Sequence, residues 1–325
     1  MNYNNLVISI LILLAAGYIY NKFKINIDKH DNLEEVNIIK KYLLNETNDI
    51  NVNKINNKPI IWIHIDYNIN SRKWESFGSR NTTNLNQDYL YLTIRTIIKH
   101  CSNYFNIILI NDDSFKLLLE NWNIDLNKLS DPQRTYFRKL ALIKILYNYG
   151  GLLIEPSFIM LKSLDKIYKK VLNTKKICVG EFLNTSANSH NMKTMPSLSL
   201  IGCIKNCEKM KEFDNYLALL LSKNYTDEIN FEDQINKWLF NETQNNNINY
   251  IDGKYIGTKD NKNNIFQLDA LLGTTKLNLN ENAYCLYIPR NELLKRNNYS
   301  YYAYLNNEEV LNANVNISKY LLLAL

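Results

Sequence analysis

The sequence predicts an α/β protein, a mixed sheet flanked by helices and preceded by one N-terminal transmembrane helix. Three observations carry that expectation. Between residues 59 and 110 a β-branched apolar run, an amphipathic stretch and a second apolar run follow one another, the order of a strand–helix–strand unit of a parallel sheet. Between residues 131 and 164 a helical period stops at Gly150-Gly151, passes into the short apolar run Leu152-Leu153-Ile154, and delivers Glu155, Pro156 and Ser157 at its carboxyl end. Finally, 46% apolar and 12% aromatic residues in a chain of 325 suffice for one large core.

The chain opens on LVISILILLAAGYIY, residues 6–20. With Tyr3 and Phe23 as interfacial aromatics it approaches the roughly 20 residues a membrane span needs. A cleaved signal peptide with Ala15-Ala16-Gly17 as its small-residue site is the other reading, but no Lys or Arg precedes the apolar run to make a charged n-region. A retained single-pass anchor is therefore preferred. Lys22, Lys24 and Lys29 follow it, which by the positive-inside rule leaves the main body cytoplasmic. Asn-x-Ser/Thr matches do not bear on this, because asparagine is about one residue in six and produces such matches by chance. That usage accompanies AT-rich coding, as in some large DNA viruses and protists, an association and not a mechanism.

Residues 31–46 carry Leu33, Val36, Ile39, Leu43 and Leu44 at helical spacing, and residues 45–58 are an Asn-rich connector. The division is thus an anchor over 1–24, a helical stalk and linker over 25–58, and one domain over 59–325. With Gly 9 and Pro 5, long flexible linkers are excluded.

Within the domain, 59–65 (PIIWIHI) is the first buried strand, 87–99 the crossover helix and 105–110 the second strand. The loop after the first strand holds Asp66, Tyr67, Asn70, Ser71, Arg72, Trp74, Ser76 and Arg80, residue types that stack on a base and bind phosphate; a plain polar surface loop explains them equally well. His64, with no carboxylate at suggestive spacing beside it, reads as a satisfied core residue. Asp112 and Asp113 close the second strand, and Asp113 or Ser114 caps the helix over 115–122; a metal role is less favoured, since adjacent side chains at a strand end diverge and chelate poorly together. The central helix starts at Ser130 or Asp131 with Pro132 in its first turn, and Tyr136, Leu140, Ile143 and Tyr147 share one face.

Beyond it, 165–172 reads as a short helix, 177–181 as a strand, 182–196 as a long polar loop, 197–203 as a strand, and 208–221 and 231–241 as flanking helices. Asp252-Gly253 between apolar pairs suggests a hairpin over 249–258, 284–288 a last strand, and the remainder helical pieces containing Tyr299, Tyr301, Tyr302 and Tyr304, a cluster that reads as packing before it reads as a sugar platform. The closing LLLAL is too short to cross a bilayer.

Charge and cysteine content exclude some classes. The net charge of +6 comes from scattered Lys and Arg without a run of like charge, so no nucleic-acid partner is expected. Five cysteines, an odd number at irregular spacing, read as buried free thiols in a reducing compartment; Cys203 and Cys207 lack a histidine at zinc-ligand spacing.

The block LIKILYNYGGLLIEPSFIMLKSL resembles the "LYKYGG, strand, Asp-x-Asp, apolar, Lys-x-Leu" block of sugar transferases with the GT-A nucleotide-sugar fold, notably the DXD-region and capsular-polysaccharide-synthesis families. The resemblance covers about residues 59–165 and implies a Rossmann-like nucleotide-sugar sheet. It also implies a nucleotide-sugar donor, a glycan, lipid or protein acceptor, and a manganese or magnesium ion held by the paired aspartates against the diphosphate. It places Asp66, Tyr67, Arg72, Gly150, Gly151, Glu155 and Ser157 around the donor, with Glu155 as the metal ligand; no catalytic residue is assigned.

This chain departs from the pattern in two places. Glu155-Pro156-Ser157 stands for Asp-x-Asp, and Arg138, Lys139 and Leu142 stand where the family has a Ser-Asp pair and an Arg. Glu232 and Asp233 lie where a base for the acceptor hydroxyl is sought, without a motif to fix the match. Two functional classes follow: a membrane-anchored transferase with a weakened metal motif, or an inactive relative that keeps the fold as a binding or scaffold module and needs no cofactor. Lumenal sugar transferases have the opposite orientation to the cytoplasmic one expected here.

Overall fold

The computed structural model describes residues 41–44, 58–65, 87–184, 192–223 and 228–325. The anchor expected at 6–20, nearly all of the 25–58 stalk and the loop carrying Asp66, Tyr67 and Arg72 lie outside these residues. Among the described residues no helix is long and apolar enough to cross a membrane.

The elements in chain order are β1 (Ile60–His64), α1 (Tyr89–Cys101), β2 (Asn106–Ile110), α2 (Ser114–Leu118), α3 (Gln133–Tyr149), β3 (Gly151–Ile154), β4 (Phe158–Met160), α4 (Asp165–Thr174), β5 (Cys178–Leu183), β6 (Thr194–Cys203), α5 (Glu208–Leu221), α6 (Glu228–Gln244), β7 (Asn249–Ile251), α7 (Gly253–Ile256), α8 (Leu268–Leu271), β8 (Cys285–Tyr287), α9 (Arg290–Lys295), α10 (Asn307–Asn312) and α11 (Asn316–Ala324). Among the described residues six strands form one mixed sheet in the order β2-β1-β3-β6-β5-β7, and β4 with β8 makes a separate two-stranded ribbon. β1 runs parallel to both β2 and β3, β6 runs antiparallel to β3 and β5, and β7 is parallel to β5. The α/β class and the expected β1–α1–β2 unit are therefore present.

Strand alternation divides the core into two layers. Ile61, Ile63, Leu152 and Ile154 face the layer built by α1, α4, α8 and α11, whereas Trp62, Ile108, Ile110 and Leu153 face α2, α3, α5 and α6. Because both faces are covered, β1 and β3 are apolar at successive positions, as a two-sided buried strand requires. Fully buried Trp62, Phe105, Phe158, Phe213 and Phe231 each contribute on the order of 1.5–3 kcal/mol of transfer free energy.

Two expectations are corrected. The 182–196 segment is not a loop throughout: β5 runs to Leu183 and β6 begins at Thr194, the two ends paired Leu183 to Thr194. Polar residues there hid a strand because the hydrogen-bonded ladder supplies what the composition does not. Nor do residues 249–258 form a hairpin. β7 pairs with β5, and the Asp252 carboxylate accepts from Lys254 N, capping the single turn α7 that Gly253 opens.

All five cysteines are buried free thiols, as their spacing suggested. Cys203 and Cys207 are coupled: the bond between them is the leading cause that lowers Cys207 to about 6, and it raises Cys203 well above the ordinary thiol value.

Candidate functional site

The site begins with a helix stop. α3 ends where Gly150 and Gly151 take φ +71° and +104°, backbone states that residues with a Cβ avoid. A methyl on Gly151 would collide with the Ile60 carbonyl, and one on Gly150 would stand 2.6 Å from Lys205 N. The missing side chains let β3 close on β1, and Trp62 Nε1 locks the junction by donating to the Gly150 carbonyl at 2.9 Å. The pairing Ile63 to Ile154 then puts His64 and Glu155 side by side, one step further on, at the carboxyl ends of two parallel strands. Open α/β sheets bind ligands at such ends.

Glu155 is half-buried and enclosed by hydroxyls. Ser199 Oγ donates to Oε1 at 2.8 Å, Tyr287 OH to Oε2 at 3.0 Å, and Ser157 Oγ approaches Oε2 at 3.4 Å. Glu155 N also donates to the Ser199 carbonyl at 3.0 Å, so β6 fixes both backbone and side chain. Burial, then the nearby Glu155 charge, keep the Tyr287 phenol protonated far above its usual range, so Tyr287 acts here as a donor.

Near this carboxylate lie polar atoms that lack partners. Tyr89, fully buried at the start of α1, has an unpartnered OH, and Gln87, 2% exposed, has an unpartnered Nε2. Arg290, at the start of α9, donates Nε–H to Gln87 Oε1 at 3.3 Å. Burial raises the Tyr89 phenol well above its ordinary value, while the charges of Arg290, lowering, and Glu155, raising, both reach it. Glu155, Tyr287, Tyr89, Gln87 and Arg290 thus share one corner of the molecule.

A second cluster sits on the neighbouring strand ends. Asp112 Oδ1 lies 2.9 Å from His64 Nε2 and 2.8 Å from Arg138 Nε, and its Oδ2 lies 2.6 Å from Arg138 Nη2. His64 also stacks on Phe115, with ring centroids 5.7 Å apart. Burial works to raise the Asp112 carboxyl, but hydrogen bonds and charge from His64 and Arg138 outweigh it and hold the group well below the usual carboxylate range. The expectation that no carboxylate attends His64 is corrected here, since the partner lies just past the end of β2, 48 residues away. The cap expected from Asp113 or Ser114 is corrected as well: Asp113 makes no side-chain cap bond, Ser114 Oγ accepts from Asn111 N, and Asn111 Oδ1 accepts from Ser114 N.

Of the residues the resemblance selects, Gly150, Gly151, Glu155 and Ser157 come together at the β3 exit, and Asp66, Tyr67 and Arg72 lie outside the described residues. Glu232 pairs with Lys139 and Asp233 with Lys237 at 2.6 Å, so both are engaged in ion pairs on α6. Among the described residues no cluster of three or more His, Cys, Asp or Glu could hold a metal ion. The donor set around Glu155, one carboxylate and neutral hydroxyls, fits a hard divalent cation poorly. Ser199, Tyr287, Tyr89, Gln87 and Arg290 escaped the sequence reading because none belongs to a local motif; Tyr287 is 132 residues from Glu155. The only available signal was the polar character of residues that open α1 and follow β8.

Neither protein-family profiles nor curated protein sequences match this chain. Partial structural overlaps exist with the glycosyltransferase GlyE of Streptococcus pneumoniae TIGR4, at TM-score 0.36 and 12% identity over 61% of this chain and 46% of that one. The PaToxG glycosyltransferase overlaps at TM-score 0.33 and 13% identity over 57% and 70%, and the galactosyltransferase LgtC, crystallised with donor and acceptor sugar analogues, at 0.32 and 10% over 60% and 74%. The chain spans less than half the length of GlyE. Overlaps this loose fix neither family nor activity.

Proposed function

We propose that this protein is a membrane-anchored, glycosyltransferase-like protein that binds a nucleotide sugar at the carboxyl ends of β1 and β3. One observation carries the reading: the double-glycine stop of α3 delivers Glu155 beside His64 at adjoining parallel strand ends, near the unpartnered hydroxyl of Tyr89 and amide of Gln87. The resemblance of residues 142–164 to the sugar-transferase block agrees with it, and a glycan, lipid or protein hydroxyl is the acceptor class. The anchor is the apolar segment at 6–20, with the domain on the cytoplasmic side.

A second reading is favoured by the Glu155 contacts themselves. Both carboxylate oxygens already accept hydrogen bonds from hydroxyls, so the site as built suits binding more than metal-assisted transfer. On that reading the protein is a sugar-nucleotide-binding or scaffold module.

Thermal melting of the purified protein against a panel of nucleotide sugars, in manganese and in EDTA, tests the proposal, because a ligand that binds only the native state raises the melting temperature. Release of free nucleotide with an acceptor mixture then separates transferase from binding module. Absence of any shift across the panel would overturn both readings.

A further inference from the structure

We propose that Arg290, Gln87 and Tyr89 form a metal-free anion corner that takes the diphosphate of the bound nucleotide sugar. This rests on the nucleotide-sugar reading above and concerns how the charge of that ligand is met.

The expected metal and the residues present disagree. A divalent cation between phosphates and protein needs several anionic oxygens, and Glu155 supplies one carboxylate amid the hydroxyls of Ser157, Ser199 and Tyr287. Close by, around Tyr89, the chemistry is the reverse, a set of donors short of acceptors. Arg290 meets Gln87 through Nε, and among the described residues no carboxylate pairs with its guanidinium. An arginine N–H can only donate, so the Gln87 oxygen must face it, which turns the amide Nε2 to the other side, where it has no partner. Tyr89 OH, on a fully buried ring two residues along, is likewise unpartnered, and burial keeps its proton in place.

Leaving buried donors unsatisfied is costly, so the arrangement is explained if an acceptor-rich group arrives. A diphosphate has that character: several anionic oxygens and no donors of its own. An arginine matches phosphate geometry with its paired N–H groups and carries its charge at every working pH. Glu155, also close to Tyr89, excludes a second negative group from its own side and leaves the anion to the Arg290 side; its hydroxyl shell holds that carboxylate in place. The corner also joins distant parts of the chain, with Gln87 and Tyr89 at the start of α1 and Arg290 just past β8.

The test measures binding of inorganic pyrophosphate, nucleoside diphosphates and nucleotide sugars to the full chain by calorimetry, each in EDTA and in manganese. The corner predicts binding that survives EDTA and weakens roughly 10- to 100-fold in R290Q, with partial recovery in R290K. Circular dichroism and melting of R290Q confirm that it folds, and Y89F, which keeps the ring, gives a second and smaller loss. If nucleotide sugars bind only with manganese, or bind R290Q as well as the parent in EDTA, the corner is wrong while the nucleotide-sugar reading stands. If pyrophosphate binds in EDTA and is lost in R290Q but no nucleotide derivative binds, the corner stands as an anion site and the nucleotide-sugar reading fails. If nothing binds in either condition, both are overturned.

Discussion

Asp112 and Arg138 form a two-pronged ion pair, Nε to Oδ1 at 2.8 Å and Nη2 to Oδ2 at 2.6 Å, with side chains only 12% and 14% exposed. It ties the end of β2 to the face of α3, and through His64 it reaches β1. The resemblance aligned Arg138 with a family position of different chemistry; here it is bound up in holding three elements together.

A pH dependence follows from that pair. The folded-state pKa of Asp112 is depressed, so its contribution to stability is fully present above the unfolded carboxyl value of about 3.9 and disappears as pH falls through the folded value. Asp112→Asn should cost about 3 kcal/mol at neutral pH, because Arg138 and His64 lose the carboxylate that compensates their burial. It should also flatten the acid limb of a plot of urea midpoint against pH below about pH 4. An unchanged acid limb in the variant would show that other carboxylates set it.

How far the site was legible in the sequence depends on whether each contact is local. The Gly150-Gly151 stop and the strand after it were legible, because helical periodicity, chain reversal and an apolar run occupy consecutive residues. Helix α5 begins and ends where its spacing placed it, at Glu208 and Leu221. The Asp112 contact to His64 and the Tyr287 contact to Glu155 were not legible, since strand order brings them together across 48 and 132 residues. β7 was misread because Asp-Gly serves both a hairpin turn and a helix cap, and only pairing with β5 decides between them.

Gly151→Ala should abolish cooperative folding. The added methyl meets the Ile60 carbonyl, within the pairing of β1 and β3, and φ +104° is closed to alanine. A loss exceeding about 4 kcal/mol is expected, read as insoluble protein or a melt without a sharp transition. A variant that melts within a few degrees of the parent would mean that the strand junction can shift without harm.

Glu181 and Lys259 pair at 2.7 Å with side chains 7% and 11% exposed, and Glu181 also accepts from Gly253 N at 2.8 Å and Thr194 Oγ1 at 2.5 Å. Lys259 keeps only a 3.5 Å approach to Asp252 when that carboxylate is removed. Glu181→Met alone should therefore cost about 3–5 kcal/mol, and the double change with Lys259→Met distinctly less than the sum of the two single losses. Additive losses in a urea-denaturation cycle would show that the two charges do not interact.

Placing two aspartates at the β3 exit, Glu155→Asp with Ser157→Asp, should create a metal requirement for stability. Ser157 is fully buried, and its backbone carbonyl accepts from Ile288 N at 3.1 Å, so a carboxylate placed there cannot easily swing into water. Without metal the double variant carries two close negative groups in a half-buried site and should lose about 2–4 kcal/mol, also forfeiting the longer Glu155 side chain's reach to Tyr287. Manganese offers these carboxylates the hard cation they lack and should raise the melting temperature in a dose-dependent way, whereas the parent, with one carboxylate and neutral hydroxyls, should not respond. Equal manganese responses in parent and variant would mean that the parent already binds the ion, and the cation would then have to be placed on residues other than Glu155 and Ser157.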